Sequence, residues 1–195
     1  MTLLPENQKV NWQSLQEQVA VFSARLKEAL LELGILEECK DLEIDHICVR
    51  LKDSTDINNL KNELKEAGQI ISAVNVNGRE IMIIQLYQPL NLGSWQTYGI
   101  ELPYPKSNHN YEDGWEHAEF VLKGAENTMG GVRKAFTNKF TNLDRELLEN
   151  KYSYSEDEPH ADGDQISNPT IGLKVSGIGI KFHANPIQVV VGFEK

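Results

Sequence analysis

Residues 44–51, Ile-Asp-His-Ile-Cys-Val-Arg-Leu, share their pattern with residues 115–122, Trp-Glu-His-Ala-Glu-Phe-Val-Leu. In both stretches an acidic residue precedes a histidine, and apolar residues then alternate with other types. Alternation with a period of two is typical of a β-strand whose two faces meet different surroundings. We therefore predict that the chain contains two copies of one structural unit, each beginning with such a strand.

A helix and three further β-rich runs follow the first strand. The helical pattern has apolar residues on one side and ends at Gly68. The pair Asn77-Gly78 then separates two β-rich runs, which predicts a hairpin. A fourth strand over residues 97–102 completes the unit, whose order is βαβββ.

The second copy repeats this order. A helical pattern of apolar residues begins at Met129, and β-leaning runs follow it at 151–155, 170–175, 178–183 and 187–193. The polar insertion 155–164 interrupts these runs and is expected to be a loop. The sequence thus predicts an α+β fold in which paired βαβββ modules form a cupped mixed sheet.

An amphipathic helix precedes the first module. Apolar residues from Leu15 to Leu33 recur at steps of three and four, and Gly34 is suited to end the helix. We expect this helix to pack on the body of the protein rather than to bind a partner. The predicted organisation is one compact domain with an N-terminal helical segment at 1–40, a first module at 41–106 and a second module at 107–195.

The composition limits both the partners and the compartment. The 195 residues include 19 basic and 29 acidic side chains, and the net charge of -10 at pH 7 opposes binding to nucleic acids and to anionic membranes. Cys39 and Cys48 form no C-x-x-C pair, the apolar runs are too short to span a membrane, and no secretory signal is visible. We expect a cytoplasmic protein whose partner is a small molecule.

Four side chains of metal-binding type fall on one face of the predicted sheet. Alternation places His46 and His117 opposite the apolar face of the first strand in each module. Glu101 in the last strand of the first module and His183 near the end of the second occupy positions that we match to each other. Such a set suits a divalent transition metal, with Zn²⁺, Ni²⁺, Fe²⁺, Mn²⁺ and Co²⁺ as candidates. Glu116 is expected to face away from His117 and to be structural.

Further polar residues share the face of the predicted ligands. Glu119 follows His117 at a period of two, and it could act as a general base or orient that imidazole. Glu101 is a second candidate for a catalytic carboxylate. Arg50 or Arg79 could bind an anionic group of a substrate, although an ordinary ion pair with an acidic residue explains either arginine equally well.

The chain resembles the YecM family of small bacterial proteins. The resemblance rests on short segments distributed along the chain: 45–50, 77–79, 100–103, 114–117, 168–170 and 180–183. It implies a relation to the vicinal oxygen chelate superfamily, which includes glyoxalase I, extradiol dioxygenases and fosfomycin or bleomycin resistance proteins. The paired βαβββ modules of that superfamily form a metal-holding cup.

The superfamily also implies a set of ligands. The first strand of each module supplies a histidine, and the fourth supplies a carboxylate or a histidine. The matching positions here are His46, Glu101, His117 and His183. His183 stands where a second carboxylate is usual, which departs from the glyoxalase pattern.

Two functions of different classes fit these residues. The first is a metal-dependent isomerase or oxidoreductase, in which the ion binds two adjacent oxygens of a small substrate as a Lewis acid or, if it is iron, activates O₂. The alternative is a non-catalytic protein that sequesters a small ligand in the same cup. In that case the aromatic residues Trp95, Tyr98 and Trp115, expected near the mouth, would matter more than the metal.

Overall fold

The computed structural model describes residues 10–76, 78–106, 112–143, 145–159 and 164–193. The described residues form helices at Trp12–Leu33 (α1), Leu36–Cys39 (α2), Ser54–Ala67 (α3), Met129–Lys139 (α4), Arg145–Lys151 (α5) and Ile187–Val190 (α6). They form strands at Glu43–Arg50 (β1), Gly68–Val76 (β2), Arg79–Asn91 (β3), Gln96–Pro103 (β4), Gly114–Val121 (β5), Ser153–Asp157 (β6), Thr170–Val175 (β7) and Ile178–His183 (β8).

The strands join one mixed sheet in the order β2-β3-β4-β1-β5-β8-β7-β6. This order is symmetrical about the junction of β1 and β5, which pair antiparallel. Within each half the first strand pairs parallel with the last, β1 with β4 and β5 with β8. Both halves therefore have the same topology, and the predicted α+β fold of paired βαβββ modules is confirmed.

The hairpin predicted at Asn77-Gly78 is present. β2 and β3 pair antiparallel, and Val76 and Arg79 are the partners nearest the turn. Gly78 has φ of 85°, a conformation that glycine adopts without steric cost, whereas Asn77 lies outside the described residues. Two residues thus separate the strands, which is the connection that an Asn-Gly pair favours.

Two expectations for the second module are wrong in part. The run 187–193 contains the short helix α6 instead of a strand, because Pro186 before it lacks the N–H that a strand would pair, and Ile187 and Val190 turn toward one buried side. The polar insertion begins within a strand, since Ser155 and Asp157 pair with β7 as part of β6. Residues 160–163 of that insertion lie outside the described part of the chain.

Helix α1 packs on the sheet, as expected. The Asn11 side chain accepts a hydrogen bond from the backbone N–H of Ser14 at its start, and Gly34 ends it with φ of 72°. Its apolar stripe, which includes Phe22 and Leu26, is fully buried, and the indole of Trp115 in β5 donates to the Leu15 carbonyl at 2.9 Å. Burial of such a stripe is the main source of a helix's stability in a protein.

The main hydrophobic core lies between the helices and one face of the sheet. In β1 the residues Ile47 and Val49 belong to this core, whereas His46 and Cys48 do not. The alternating side chains of the central strands thereby leave their polar members for the opposite, concave face. Among the residues described, no helix combines the length and the apolar character needed to cross a bilayer.

Candidate metal centre

A cavity of about 330 Å³ lies on the concave face of the sheet. This volume is within the range of small-molecule sites. His46, Glu101, Glu119 and Lys181 line the cavity where β1, β4, β5 and β8 run side by side. Residues of both modules therefore meet at this point.

Two β-bulges at the junction of β1 and β5 place a carboxylate beside each histidine. The extra residue is Asp45 in β1 and Glu116 in β5. A bulge interrupts strict alternation and re-aims the extra side chain. As a result Asp45 Oδ1 lies 3.0 Å from His46 Nδ1, and Glu116 Oε2 lies 3.0 Å from His117 Nδ1. The expectation that Glu116 faces away from His117 is wrong for this reason.

The second nitrogen of each imidazole points to shared carboxylates. His46 Nε2 is buried without a hydrogen-bond partner, 3.3 Å from Glu119 Oε1 and 3.7 Å from Glu101 Oε2. His117 Nε2 lies 3.0 Å from the same Glu119 oxygen. Two ligands that each lie about 2.1 Å from one ion, at a right angle, are about 3.0 Å apart. These separations therefore fit ligands of a single ion, and the four ligand atoms all lie within 4.8 Å of one another.

Negative charge exceeds permanent positive charge around this centre. Lys181 Nζ donates to Glu119 Oε1 at 2.6 Å, and Arg50 Nε donates to Glu116 Oε2 at 2.6 Å. Against these two cations stand four carboxylates, those of Asp45, Glu101, Glu116 and Glu119. Buried charges require compensation. A divalent cation would balance the difference of two charges while both imidazoles stay neutral.

The pKa values follow from the same contacts. Burial alone would lower the pKa of His46, but the carboxylates of Asp45 and Glu119 hold it well above 6.5. Burial would raise the pKa of Glu119, but Lys181 and His46 hold it well below its usual value. The pKa of Glu116 falls to about 2, since His117 and Arg50 outweigh the effect of burial. Without a metal, an imidazolium at His46 thus supplies part of the missing positive charge.

His183 contacts Asp45 and is not one of the four residues whose ligand atoms lie close together, which are His46, Glu101, His117 and Glu119. Its Nε2 is 3.1 Å from Asp45 Oδ1 and 4.0 Å from Glu119 Oε2, and its Nδ1 is 3.1 Å from Asn168 Oδ1. Asp45 therefore connects the rings of His46 and His183. The role of His183 as a ligand stays a prediction, and the residue that the structure brings beside the other three is Glu119.

Strand register makes Lys181, and not His183, the second-module counterpart of Glu101. In β4 and β8 a glycine, Gly99 or Gly179, pairs with the histidine of the neighbouring first strand. Glu101 and Lys181 each follow two residues later. The Gly-Ile pair that precedes both residues was the sequence signal for this match, whereas apolar alternation alone allows a shift by two positions.

Cys48 supports the Glu101 carboxylate. Its Sγ donates to Glu101 Oε1 at 3.3 Å, and burial, followed by the charge of Glu101, raises the pKa of the thiol. Cys48 thus remains a hydrogen-bond donor at neutral pH. Asp45, Glu116 and Lys181 also contact the candidate ligands, and sequence reasoning did not assign these three residues to the site.

The two arginines predicted to bind substrate have different surroundings. Both line the cavity, but Arg50 is engaged by Glu116 through the 2.6 Å contact. Arg79 lies farther out, at the start of β3, and its Nε and Nη1 are shielded from solvent with no hydrogen-bond partner in the described structure. Substrate binding by either arginine stays a prediction.

The aromatic residues expected near the mouth are mostly elsewhere. Trp95 and Trp115 belong to the main hydrophobic core, where their indoles donate to the backbone carbonyls of Cys39 and Leu15. Tyr98 is 37% exposed and does not line the cavity. The expectation of an aromatic mouth is therefore wrong.

Comparison with known proteins shows which family the sequence of this chain matches. The profile of the family described as YecM protein matches residues 11–194. Protein YecM of Escherichia coli is 28% identical over 191 residues, covering 95% of this chain and 98% of the relative. An uncharacterized protein of Haemophilus influenzae is 29% identical, covering 97% and 98%. The solved structure of protein EC4020 is 26% identical with a TM-score of 0.75, covering 98% of this chain and all of the other.

Proposed function

This chain belongs to the YecM family, and from that premise we propose that it is a divalent-metal-dependent enzyme of the vicinal oxygen chelate type, an isomerase or oxidoreductase. Its substrate is a small molecule with two adjacent oxygens. The observation that carries the proposal is the pair of buried histidines, His46 and His117. Each ring is fixed at Nδ1 by a bulge carboxylate and directs Nε2 to the same glutamate.

The proposed ligands are His46, Glu101, His117 and Glu119. The orphaned Nε2 of His46 and the excess of carboxylates support a cation at this position. Asp45, Glu116 and His183 are then positioning residues, because each holds a ligand or the partner of a ligand. Nitrogen and carboxylate ligands are suited to Zn²⁺, Mn²⁺, Fe²⁺, Co²⁺ or Ni²⁺.

A bound divalent ion would supply Lewis-acid stabilisation to the two substrate oxygens. Lys181 lines the cavity, and the nearby carboxylates of Glu119 and Glu101 outweigh its burial and hold its pKa above the usual value. Its ammonium therefore stays charged while it donates to Glu119. A fixed positive charge at this position supports stabilisation of negative charge that develops on a substrate oxygen.

Elemental analysis of protein purified without chelators tests the proposal. We expect about one equivalent of a transition metal in the wild type and in Glu43→Gln, a control at the exposed start of β1 whose carboxylate pairs with Lys123. The double variant His46→Ala/His117→Ala should contain none while it unfolds cooperatively. A wild type that takes up none of the five candidate ions, or a double variant with unchanged metal content, would contradict the proposal.

His183→Gln in the same assay separates a ligand from a positioning residue. If His183→Gln contains no metal when one equivalent is supplied, the result would support His183 as the ligand that the sequence predicts. Retained stoichiometry with about tenfold to hundredfold weaker binding is the expected result for a residue that acts through Asp45.

A small-ligand sequestering protein is the second candidate. A separate apolar cluster of Ile83, Ile187 and Val190 favours it, since these residues line the same cavity and offer an apolar surface to a ligand. In that case small apolar acids should raise the melting temperature of metal-free protein, and substrate turnover should be absent.

We also propose that the protein works in the cytoplasm. Cys39 and Cys48 are both buried free thiols. Free thiols without a disulfide framework are usual in a reducing compartment. Localisation of a tagged copy in fractionated cells tests the proposal.

A further inference from the structure

We infer that the substrate is an elongated dicarboxylate, with an oxygen-rich head at the metal centre, a hydrocarbon middle and a distal carboxylate bound by Arg79. The position of the head rests on the proposed function. The hydrocarbon middle and the distal carboxylate of the substrate are inferred from the side chains of β2 and β3, which form one wall of the cavity.

Three rows of paired residues run along this wall, away from the metal centre. Ile83 pairs with Glu101 of β4, which fixes the first row beside the proposed ligands. All members of the rows line the cavity. The rows are Ser72 with Ile83, Val74 with Ile81, and Val76 with Arg79.

The chemistry changes along the rows. The first contains the hydroxyl of Ser72, the second is wholly apolar, and the third ends in the guanidinium of Arg79. Same-face residues of a strand are about 6.6 Å apart, so the Cα atoms of Ile83 and Arg79 are about 13 Å apart. A ligand that contacts both the metal centre and Arg79 must therefore pass the apolar row of Val74 and Ile81.

The guanidinium of Arg79 is suited to an anion from outside the protein. Its Nε and Nη1 are sheltered and have no partner in the described part of the chain. The neighbouring Glu80 pairs with Lys61 at 3.8 Å instead. Sheltered donors that lack acceptors are unfavourable, and a carboxylate at the guanidinium fork would accept a charge-assisted hydrogen bond from one of them.

The middle of the wall favours an apolar chain. Val74 and Ile81 lie between the two polar ends, and Ile83 packs with Ile187 and Val190 in an apolar cluster that also lines the cavity. Burial of methylene groups against such a surface is favourable. The combination of head, spacer and tail selects α-keto or α-hydroxy dicarboxylic acids with a hydrocarbon chain.

Calorimetric titration with matched probes tests this inference on metal-loaded protein. α-Ketoadipate and α-ketosuberate are compared with α-ketohexanoate and α-ketooctanoate, which have the same heads and chain lengths but no distal carboxylate. We expect at least one dicarboxylate to bind about tenfold or more tightly than its monocarboxylate counterpart. Arg79→Gln should abolish that advantage without changing metal content or monocarboxylate binding.

Two further variants sharpen the result. Arg79→Lys should restore part of the advantage, because a cation is retained but the fork is lost. Lys106→Gln, which removes a different cation that lines the cavity, should leave the advantage intact.

The outcomes separate this inference from the proposed function. Metal-loaded protein that binds both members of each pair equally well, or binds neither, would overturn the distal carboxylate while the metal centre stands. Protein that takes up no metal would overturn the proposed function. In that case a preference for dicarboxylates that depends on Arg79 would still support the tail site, and its absence would overturn it.

Discussion

At the scale of single residues, the carboxylate before each histidine defines the candidate centre. Asp45 and Glu116 contact Nδ1 of the adjacent rings, which leaves Nε2 for an ion. The two partners differ in burial, since the Asp45 side chain is fully enclosed and that of Glu116 is 30% exposed. Glu116 is therefore the safer position at which to test this support without unfolding the protein.

Glu116→Gln should weaken metal binding by about tenfold to hundredfold while one equivalent is still bound at saturation. The amide retains the shape of the side chain but accepts less strongly from His117 Nδ1. Competition with a chromogenic chelator measures the change, and Glu43→Gln provides a carboxylate control on the other first strand. Unchanged affinity in Glu116→Gln would show that this contact does not tune the ligand.

Metal binding at pH 7 should release about one proton. The pKa of His46 lies well above 6.5 in metal-free protein, so its ring is protonated there and must lose a proton to become a ligand. Affinity should consequently rise with pH until the pH reaches the pKa of His46, and level off above it. Calorimetry in buffers of different ionisation enthalpy counts the protons, and a count of zero would contradict this assignment.

The histidines could be predicted from the sequence, but their supporting carboxylates could not. The repeat around His46 and His117 is visible because an acid precedes each histidine and alternation follows it. Strict alternation, however, predicts that Glu116 lies on the opposite face of the sheet from His117. The β-bulge that brings Glu116 beside His117 has no clear signature in a single sequence. The pairing between strands makes Lys181, and not His183, the counterpart of Glu101. Local periodicity does not reveal which residues of two strands pair.

At the scale of elements, close approach of strands holds the two histidines. A Cβ added at Gly99 would lie 2.6 Å from the Cβ of His46, and one added at Gly179 would lie 2.6 Å from that of His117. The parallel pairs β4–β1 and β8–β5 therefore require glycine opposite each histidine. The last strand of a module positions the histidine of its first strand as well as supplying Glu101 or Lys181.

Gly99→Ala should destabilise the protein by about 1 to 3 kcal/mol and weaken metal binding, because His46 and β1 must shift to accept the methyl group. Gly130→Ala is the matched control. Its Cβ would meet only Thr128 Oγ1 at 3.9 Å, and alanine favours the helix α4 by about 0.5 to 1 kcal/mol. Denaturant unfolding and metal titration of both variants check this, and equal behaviour would exclude the steric explanation.

Most elements follow from local patterns, and the helix α6 in place of a predicted strand has a local cause. The amphipathic stripe of α1, the Asn-Gly hairpin and the alternation of β1 and β5 all agree with the structure. The run 187–193 is rich in residues that favour strands, yet Pro186 starts the helix α6 there. Ile187 N donates to Asp45 Oδ2 at 2.6 Å, a contact distant in sequence that no periodicity indicates.

At the scale of the whole molecule, the candidate ligands connect the two modules. His46 and Glu101 come from β1 and β4, whereas His117 and Glu119 come from β5. An ion bound by all four would add a cross-link at the centre of the sheet. It would bind the folded state only, since the unfolded chain does not bring these residues together.

A divalent metal at about a hundredfold excess over its dissociation constant should raise the melting temperature by about 5 to 10 °C. The expected gain is about 2.7 kcal/mol, and a domain of this size shifts by roughly 2 to 4 °C per kcal/mol. Calorimetric scans with and without metal test this, with His46→Ala/His117→Ala as the variant that should not respond. An equal shift in that variant would indicate binding elsewhere.

The antiparallel junction of β1 and β5 also bears on how such a centre can originate. Two copies of a single half-length chain, joined through the same junction, would be related by a two-fold axis and would present identical residues at equivalent positions. Glu101 and Lys181 occupy equivalent positions of the two modules, as do Cys48 and Glu119, and such differences cannot exist in that arrangement. Fusion into one polypeptide removes the constraint, so that equivalent positions of the two halves can carry different side chains, a carboxylate at Glu101 and an ammonium at Lys181.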